Sequence, residues 1–261
     1  MNITVSEPLL TLQNVSLAFG GLKAVDRVSL SVPPGMVKAI IGPNGAGKTT
    51  LFHLISGFLT PQAGRIMFQG DEIQGRPAYV LASRGISRTF QLVQLFDRMT
   101  VLENVMVGRH RLSRAGILAG ALRLPWTITE EQAIRARALE ALDFVGLADR
   151  AHHRAAVLPL GLKRLLEIAR ALAAQPALLL LDEPASGLDA VETERLKDMI
   201  LALKDQGITI LLVEHDMSLT MDVAEEIAVL NYGKLIADGS PRAIQKHPEV
   251  IAAYLGTDWQ A

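Results

Sequence analysis

Val37-Lys38-Ala39-Ile40-Ile41-Gly42-Pro43-Asn44-Gly45-Ala46-Gly47-Lys48-Thr49-Thr50-Leu51-Phe52-His53-Leu54-Ile55 is the stretch that decides the fold. A buried-strand run leads into a glycine-rich turn, and apolar residues at helical period follow it. Gly42, Gly47, Lys48 and Thr49 hold the defining positions of the phosphate-loop pattern G-x-x-x-x-G-K-[ST]. The glycines let the backbone bend so that successive N–H groups converge on one concavity, and the helix N-terminus adds its positive dipole end. Lys48 then reaches the β- and γ-phosphates, and the Thr49 hydroxyl is placed to ligate Mg²⁺. The whole segment from Gly42 through Pro43, Asn44, Gly45, Ala46, Gly47, Lys48 and Thr49 to Thr50 is the expected nucleotide-binding loop. This chemistry belongs to a nucleoside triphosphate.

Outward from the loop, short apolar runs alternate with amphipathic stretches, which argues for an α/β fold with a largely parallel sheet. Leu9–Phe19, Val28–Val32 and Arg65–Gln69 instead show period-2 character between Gly-Gly, Pro-Pro-Gly and Pro-Gln-Ala-Gly turns. They predict an N-terminal antiparallel β layer beside the nucleotide core. From about Leu92 to Leu160 no strong strand pattern is present, and the region reads as helical. Thr100–Val107 is one short helix candidate. Thr129-Glu130-Glu131-Gln132 reads as a capping box that opens a helix with Ala133, Ala136, Leu139, Leu142 and Phe144 near one face and Gly146 as its stop. Buried parallel strands are expected at Ala177–Leu181 and Ile208–Val213, with a helix over 190–206 between them carrying Leu196, Met199, Ile200 and Leu203 inward and ending at Gly207. Ser240-Pro241 reads as an N-cap and first-turn pair for a C-terminal helix. The expected organisation is a single domain over 1–261. Residues 1–91 and 160–240 form its core, 92–159 an inserted helical subdomain and 241–261 a C-terminal helical tail.

Composition narrows the function classes. Twenty-six basic against 27 acidic residues leave a net charge of −1, which gives no electrostatic case for nucleic acid. Without cysteine there is no disulfide, thiolate metal site or cysteine nucleophile. The N-terminus lacks the basic and apolar regions of a signal peptide, and no segment approaches the roughly 18–20 apolar residues of a membrane span. The expected location is therefore cytoplasmic.

A second half-site follows far downstream. Leu178-Leu179-Leu180-Leu181-Asp182-Glu183 reads as a buried strand, expected beside the loop strand, that ends in two acids. At that carboxyl end Asp182 can hold Mg²⁺ through its water shell, because Mg²⁺ takes few protein ligands. Glu183 stands where it can accept a proton from water attacking the γ-phosphate.

With these residues in place, the chain resembles the ATP-binding subunits of ABC transporters over nearly its whole length. The resemblance implies an ABC-type P-loop fold and the following roles. Phe19, before Gly20-Gly21, matches the aromatic that stacks on adenine. Gln91, in Thr89-Phe90-Gln91, matches the glutamine that senses Mg²⁺, the attacking water and the transmembrane partner. His215, in Val213-Glu214-His215-Asp216, matches the switch histidine that orients the water. Ser186-Gly187-Leu188-Asp189 matches the loop that communicates across a dimer of such subunits. The resemblance thus implies Glu183, His215 and Gln91 as catalytic, Thr49, Gln91 and Asp182 as metal-holding, and Mg-ATP as cofactor.

One motif departs from the family. In place of Leu-Ser-Gly-Gly-Gln stands Leu158-Pro159-Leu160-Gly161-Leu162, followed by Lys163-Arg164 and the helical run Leu165–Ala174. The family's signature closes in trans on the γ-phosphate held by the other subunit. Pro159 brings neither a hydroxyl nor an N–H, and Leu160 adds bulk where glycine permits close approach. A poor trans signature implies pairing with a different ATP-binding subunit, as a heterodimer.

Within the family, Arg88-Thr89-Phe90-Gln91, Leu95-Phe96, Met99–Val105 and the closing Ile251-Ala252-Ala253-Tyr254-Leu255-Gly256 resemble the branched-chain amino-acid uptake type. That subgroup also serves urea, amides and other small solutes. The implied partners are permease subunits at the cytoplasmic face of the membrane and, indirectly, a periplasmic or surface solute-binding protein. Two readings stand for the spacer from about Arg109 to Ile128, with Arg111, Arg114 and Trp126: contact with the permease or membrane surface, or a solvated insertion. Three rival functions remain beside the importer: a lipid or lipopolysaccharide exporter driven by a homodimer, a soluble non-transport ABC ATPase, and a module that binds ATP without hydrolysing it.

Overall fold

A computed structural model of the protein describes residues 7–91, 93–110 and 125–255. In chain order these form the hairpin β1 (Leu10–Phe19) and β2 (Leu22–Val32), the loop strand β3 (Val37–Ile41) and α1 (Lys48–Ile55). β4 (Ala63–Phe68), β5 (Asp71–Glu72), α2 (Ala78–Ser83) and β6 (Ile86–Arg88) follow, then the helices α3 (Val101–His110), α4 (Pro125–Phe144) and α5 (Leu160–Leu172). β7 (Leu178–Asp182), α6 (Ala190–Asp205), β8 (Thr209–Val213) and α7 (Met217–Val223) restore the alternation. The hairpin β9 (Glu226–Asn231) and β10 (Lys234–Gly239), α8 (Pro241–Ile244) and α9 (Pro248–Leu255) complete the described chain.

Two sheets result. One is antiparallel, in the order β2-β1-β4-β5; the other runs β10-β9-β3-β8-β7-β6 and is parallel except at the β10 edge. β3, β7 and β8 are buried at every position, which is why they read as continuous apolar runs. Their side chains alternate between two cores. Ile40, Leu178, Leu180, Leu211 and Val213 join the antiparallel sheet and α1, whereas Ala39, Ile41, Leu179, Leu181, Ile210 and Leu212 join the helices of the opposite face. Each such leucine contributes about 1.5–3 kcal/mol by burial. Lys38 is the exception inside β3: its buried ammonium meets Glu226 at 3.0 Å, Asp238 at 2.8 Å and the Ser31 carbonyl at 3.0 Å.

The antiparallel layer and the helical stretch agree with the sequence reading; three details do not. β7 is not beside the loop strand, because β8 pairs with both and lies between them. The helix expected to open at Thr129 already begins at Pro125, a residue suited to a first turn because its missing N–H has no partner to lose there. Its inward stripe is Ile134, Ala138, Ala141, Leu142 and Val145, whereas Ala133, Ala136 and Leu139 face outward. An alanine-rich helix can be phased in more than one way, and the large Ile134 decides it. Capping boxes are present at Thr100/Glu103, ahead of α3, and at Asp189/Glu192, ahead of α6. Glu103's hydrogen bonds from Thr100 lower its pKa. The stop at Gly146 (φ 72°) and the Ser240-Pro241 cap are as expected. Of the spacer, Arg109 donates to Ala173 O and Gln175 Oε1 beside the end of α5; residues 111–124 lie outside the described residues, as do residues 1–6, Leu92 and Gly256.

Candidate nucleotide site

β3 delivers the chain into the phosphate loop, and backbone geometry accounts for two of its glycines. At Gly42 (φ 149°) a Cβ would fall 2.1 Å from the Leu230 carbonyl oxygen; at Gly47 (φ 103°) it would fall 2.3 Å from that of Ala24. Gly47 is also the N-cap of α1 and supplies no side-chain acceptor, so the first N–H groups of the helix stay open to an anion. Lys48 folds back over the loop. Its Nζ donates to Gly42 O at 2.7 Å and to Pro43 O at 3.0 Å. Burial lowers the pKa of this ammonium, while the charges of Glu183 and Asp182 act in the opposite direction.

The other half comes from three adjacent strand ends. β6 runs on to Gln91, β7 ends at Asp182 before Glu183, and β8 leads to Glu214 and His215. Glu183 turns through a left-handed backbone (φ 49°), a conformation that costs a non-glycine residue about 1–3 kcal/mol and is kept where the surroundings impose it. Its carboxylate accepts from Gln91 Nε2 at 2.7 Å through Oε2 and sits 2.6 Å from His215 Nε2 through Oε1. Sequence reasoning passed over Glu214, which is buried: Oε1 accepts from the Ala185 amide at 2.7 Å and Oε2 from the His215 amide at 2.9 Å. Glu214 thereby fixes the backbone ahead of His215 to the segment after Glu183. The one signal for it was an acid directly after an apolar strand.

These pieces meet in one cleft of about 920 Å³. Phe19, half exposed at the end of β1, lines it together with Asn44, Gly45, Ala46, Gly47, Lys48, Thr49, Thr50, Gln91, Glu183 and His215. Gly42 and Pro43 form the turn at its base and do not line it. Tyr232, in the tight turn between β9 and β10, is a lining residue the sequence reading missed; Asn231-Tyr232-Gly233 was its signal. Asp182 lies beneath the surface, buried, with Oδ2 on Arg88 Nη2 at 2.8 Å and Oδ1 without a hydrogen-bond partner. An orphaned buried carboxylate oxygen fits a hydrated Mg²⁺. Among the described residues no cluster of three or more His, Cys, Asp or Glu could hold a metal ion.

A phosphate loop seated on a mainly parallel sheet, with polar groups gathered at the neighbouring strand ends, makes this a P-loop nucleotide-binding protein. The ABC transporter family matches residues 25–186, and the branched-chain amino acid ATP-binding cassette transporter family matches residues 234–259. The chain is 44% identical to the high-affinity branched-chain amino acid transport ATP-binding protein BraF of Pseudomonas aeruginosa, over 97% of this chain and 99% of that protein. It is 42% identical, with the same coverage, to the corresponding protein LivG of Escherichia coli. Among solved structures, the ADP conformation of an ATP-binding cassette of an ABC transporter superimposes with a TM-score of 0.83 at 33% identity, covering 96% of this chain and all of that one. The chain belongs to the ABC transporter family, among the ATP-binding proteins of branched-chain amino acid transport. Its fold is the ABC ATPase cassette.

Proposed function

We propose that this chain hydrolyses Mg-ATP to drive uptake of branched-chain amino acids or related small solutes through partner permeases at the cytoplasmic face of the membrane. The observation that carries the reading is the Glu183 carboxylate, held between Gln91 and His215 at the mouth of the phosphate loop. A carboxylate fixed at both oxygens is oriented to take a proton from water, and the neighbouring amide and imidazole can orient that water. Lys48 exchanges its two carbonyl partners for phosphate oxygens, and the open N–H groups of α1 take the rest of the charge. Phe19 offers a face for the adenine. Thr49, Gln91 and Asp182 would hold Mg²⁺, which supplies positive charge to the β- and γ-phosphate oxygens.

Support for a permease comes from a groove of about 400 Å³ on the far side of Gln91, lined by Phe58, Tyr79, Phe90, Phe96 and Val107. Four of these are exposed apolar side chains, gathered where β6 meets the helices. No described helix is long and apolar enough to cross a membrane.

The trans signature is the weak part. α5 starts at Leu160 with Pro159 as an N-cap that offers no side-chain acceptor, and the Leu160 side chain is half exposed over Gly187. This supports a heterodimer in which another subunit's signature completes the site on Lys48. The helical segment 92–159 then acts as the inserted subdomain that leads into the signature helix α5 (Leu160–Leu172), against a core of 1–91 and 160–240 and a tail of 241–261.

The test is affinity capture of the full chain from detergent-solubilised membranes. Recovery of a second ATP-binding chain and permease subunits, with a solute-binding protein bound in the presence of branched-chain amino acids, is the expected result. Recovery of this chain alone as a homodimer would overturn it.

A further inference from the structure

Arg88 ends β6, three residues before Gln91, and the nucleotide chemistry above makes no use of it. Its side chain is only 5% exposed, although it brings a permanent positive charge into the protein. Nη2 donates to Asp182 Oδ2 at 2.8 Å and Nη1 to Ser56 Oγ at 3.0 Å; the Ser56 hydroxyl in turn donates to Phe52 O at 2.6 Å. Three rings enclose the guanidinium. Its carbon lies 5.8 Å from the Phe52 ring centre, 5.8 Å from that of Phe58 and 5.3 Å from that of Phe90. Phe58 and Phe90 meet edge to face at 5.8 Å. Cation–π attraction and the planar fork together leave the group one orientation. Asp182 Oδ1 is buried without a hydrogen-bond partner, as is Arg88 Nε, so the pair leaves one carboxylate oxygen open beside the phosphate loop.

We propose that Arg88 is a positioning residue for the metal site: it anchors Oδ2 of Asp182 and leaves Oδ1 as the oxygen available to a hydrated Mg²⁺. The inference rests on the reading of Asp182 as a metal-holding residue.

The experiment is Mn²⁺ binding to the full chain with ATP, followed by electron paramagnetic resonance, for wild type, Arg88→Met, Arg88→Lys and Asp182→Asn. ATP affinity in EDTA and the far-UV circular dichroism spectrum are measured alongside. Arg88→Met is expected to weaken Mn²⁺ binding by about 10–100-fold, the usual loss when an outer partner of a metal-holding residue is removed. ATP affinity in EDTA and the dichroism spectrum should be unaltered, and Arg88→Lys should recover part of the metal affinity. The proposal is overturned if Asp182→Asn weakens Mn²⁺ binding and Arg88→Met does not. It is equally overturned if metal-free ATP affinity falls as far as Mn²⁺ affinity, since Arg88 would then be structural. Unchanged Mn²⁺ affinity in Asp182→Asn would instead remove the underlying reading of the metal site.

Discussion

Glu167 lies outside the nucleotide chemistry but shows how single residues hold the chain beside Gln91 in place. Oε1 of this buried carboxylate accepts from the Gln94 amide at 3.1 Å and faces Arg170 at 3.4 Å, while Arg170 Nη1 donates to Gln94 O at 2.6 Å. Arg164 adds bonds to Phe90 O and Ser186 O, so α5 grips the chain on both sides of Gln91 and the segment after Glu183. Burial pushes the Glu167 carboxyl above its ordinary value, against the Gln94 amide and the charges of Arg170 and Arg164. An acid whose pKa is raised by folding contributes stability that is complete below its unfolded value and is lost as pH rises through the folded one. Glu167→Gln keeps an oxygen for the Gln94 amide and removes the titration. Thermal unfolding from about pH 4.5, the ordinary glutamate value, towards neutrality should show wild type losing ground to the variant. Parallel pH curves would take Glu167 out of this account.

At the scale of elements, the phosphate loop is held by backbone conformations and close approaches that favour glycine. Gly45 (φ 79°) and Gly47 (φ 103°) both adopt left-handed backbone, but a Cβ at Gly45 meets open space whereas one at Gly47 strikes Ala24 O. Gly45→Ala should therefore cost about 1–3 kcal/mol of backbone strain, and Gly47→Ala distinctly more, because overpacking adds to it. Urea unfolding of both variants checks this, and equal losses would contradict it. The loop and its flanking elements were legible in the sequence because buried parallel strands admit only apolar runs and tight turns demand glycine. β7, β8 and α6 were legible for the same reason. β6 was not, since Ile86-Ser87-Arg88 is too short to show a period, and β9 was passed over although Ile227–Leu230 is an apolar run before a turn signal. Strand order is carried by pairings between distant segments, so the place of β8 between β3 and β7 could not be read from either strand. For the site, residue types and their order were visible. That Glu183 would be shared between Gln91 and His215, with Arg88 behind Asp182, depends on three strand ends meeting in space.

Across the whole molecule, the proposed function assigns the nucleotide cleft to this chain's own loop, the apolar groove to a permease and the signature segment to a second ATP-binding subunit. A homodimeric exporter would place Pro159 and Leu160 at both nucleotide sites, which disfavours that reading. With a different ATP-binding subunit the two sites become unequal: Lys48 and Glu183 face the partner's signature, and the partner's loop faces Pro159 and Leu160. Hydrolysis should then run mainly on this chain's own loop, and the isolated chain should turn over ATP slowly until the partner is added. The most direct measurement is steady-state ATP hydrolysis by the purified complex carrying Glu183→Gln in this chain only, with ATP binding measured in parallel. The account predicts a fall of about 10²–10⁴-fold, the contribution of a general base, with ATP binding retained. Hydrolysis that stays at or near the unsubstituted rate would contradict it.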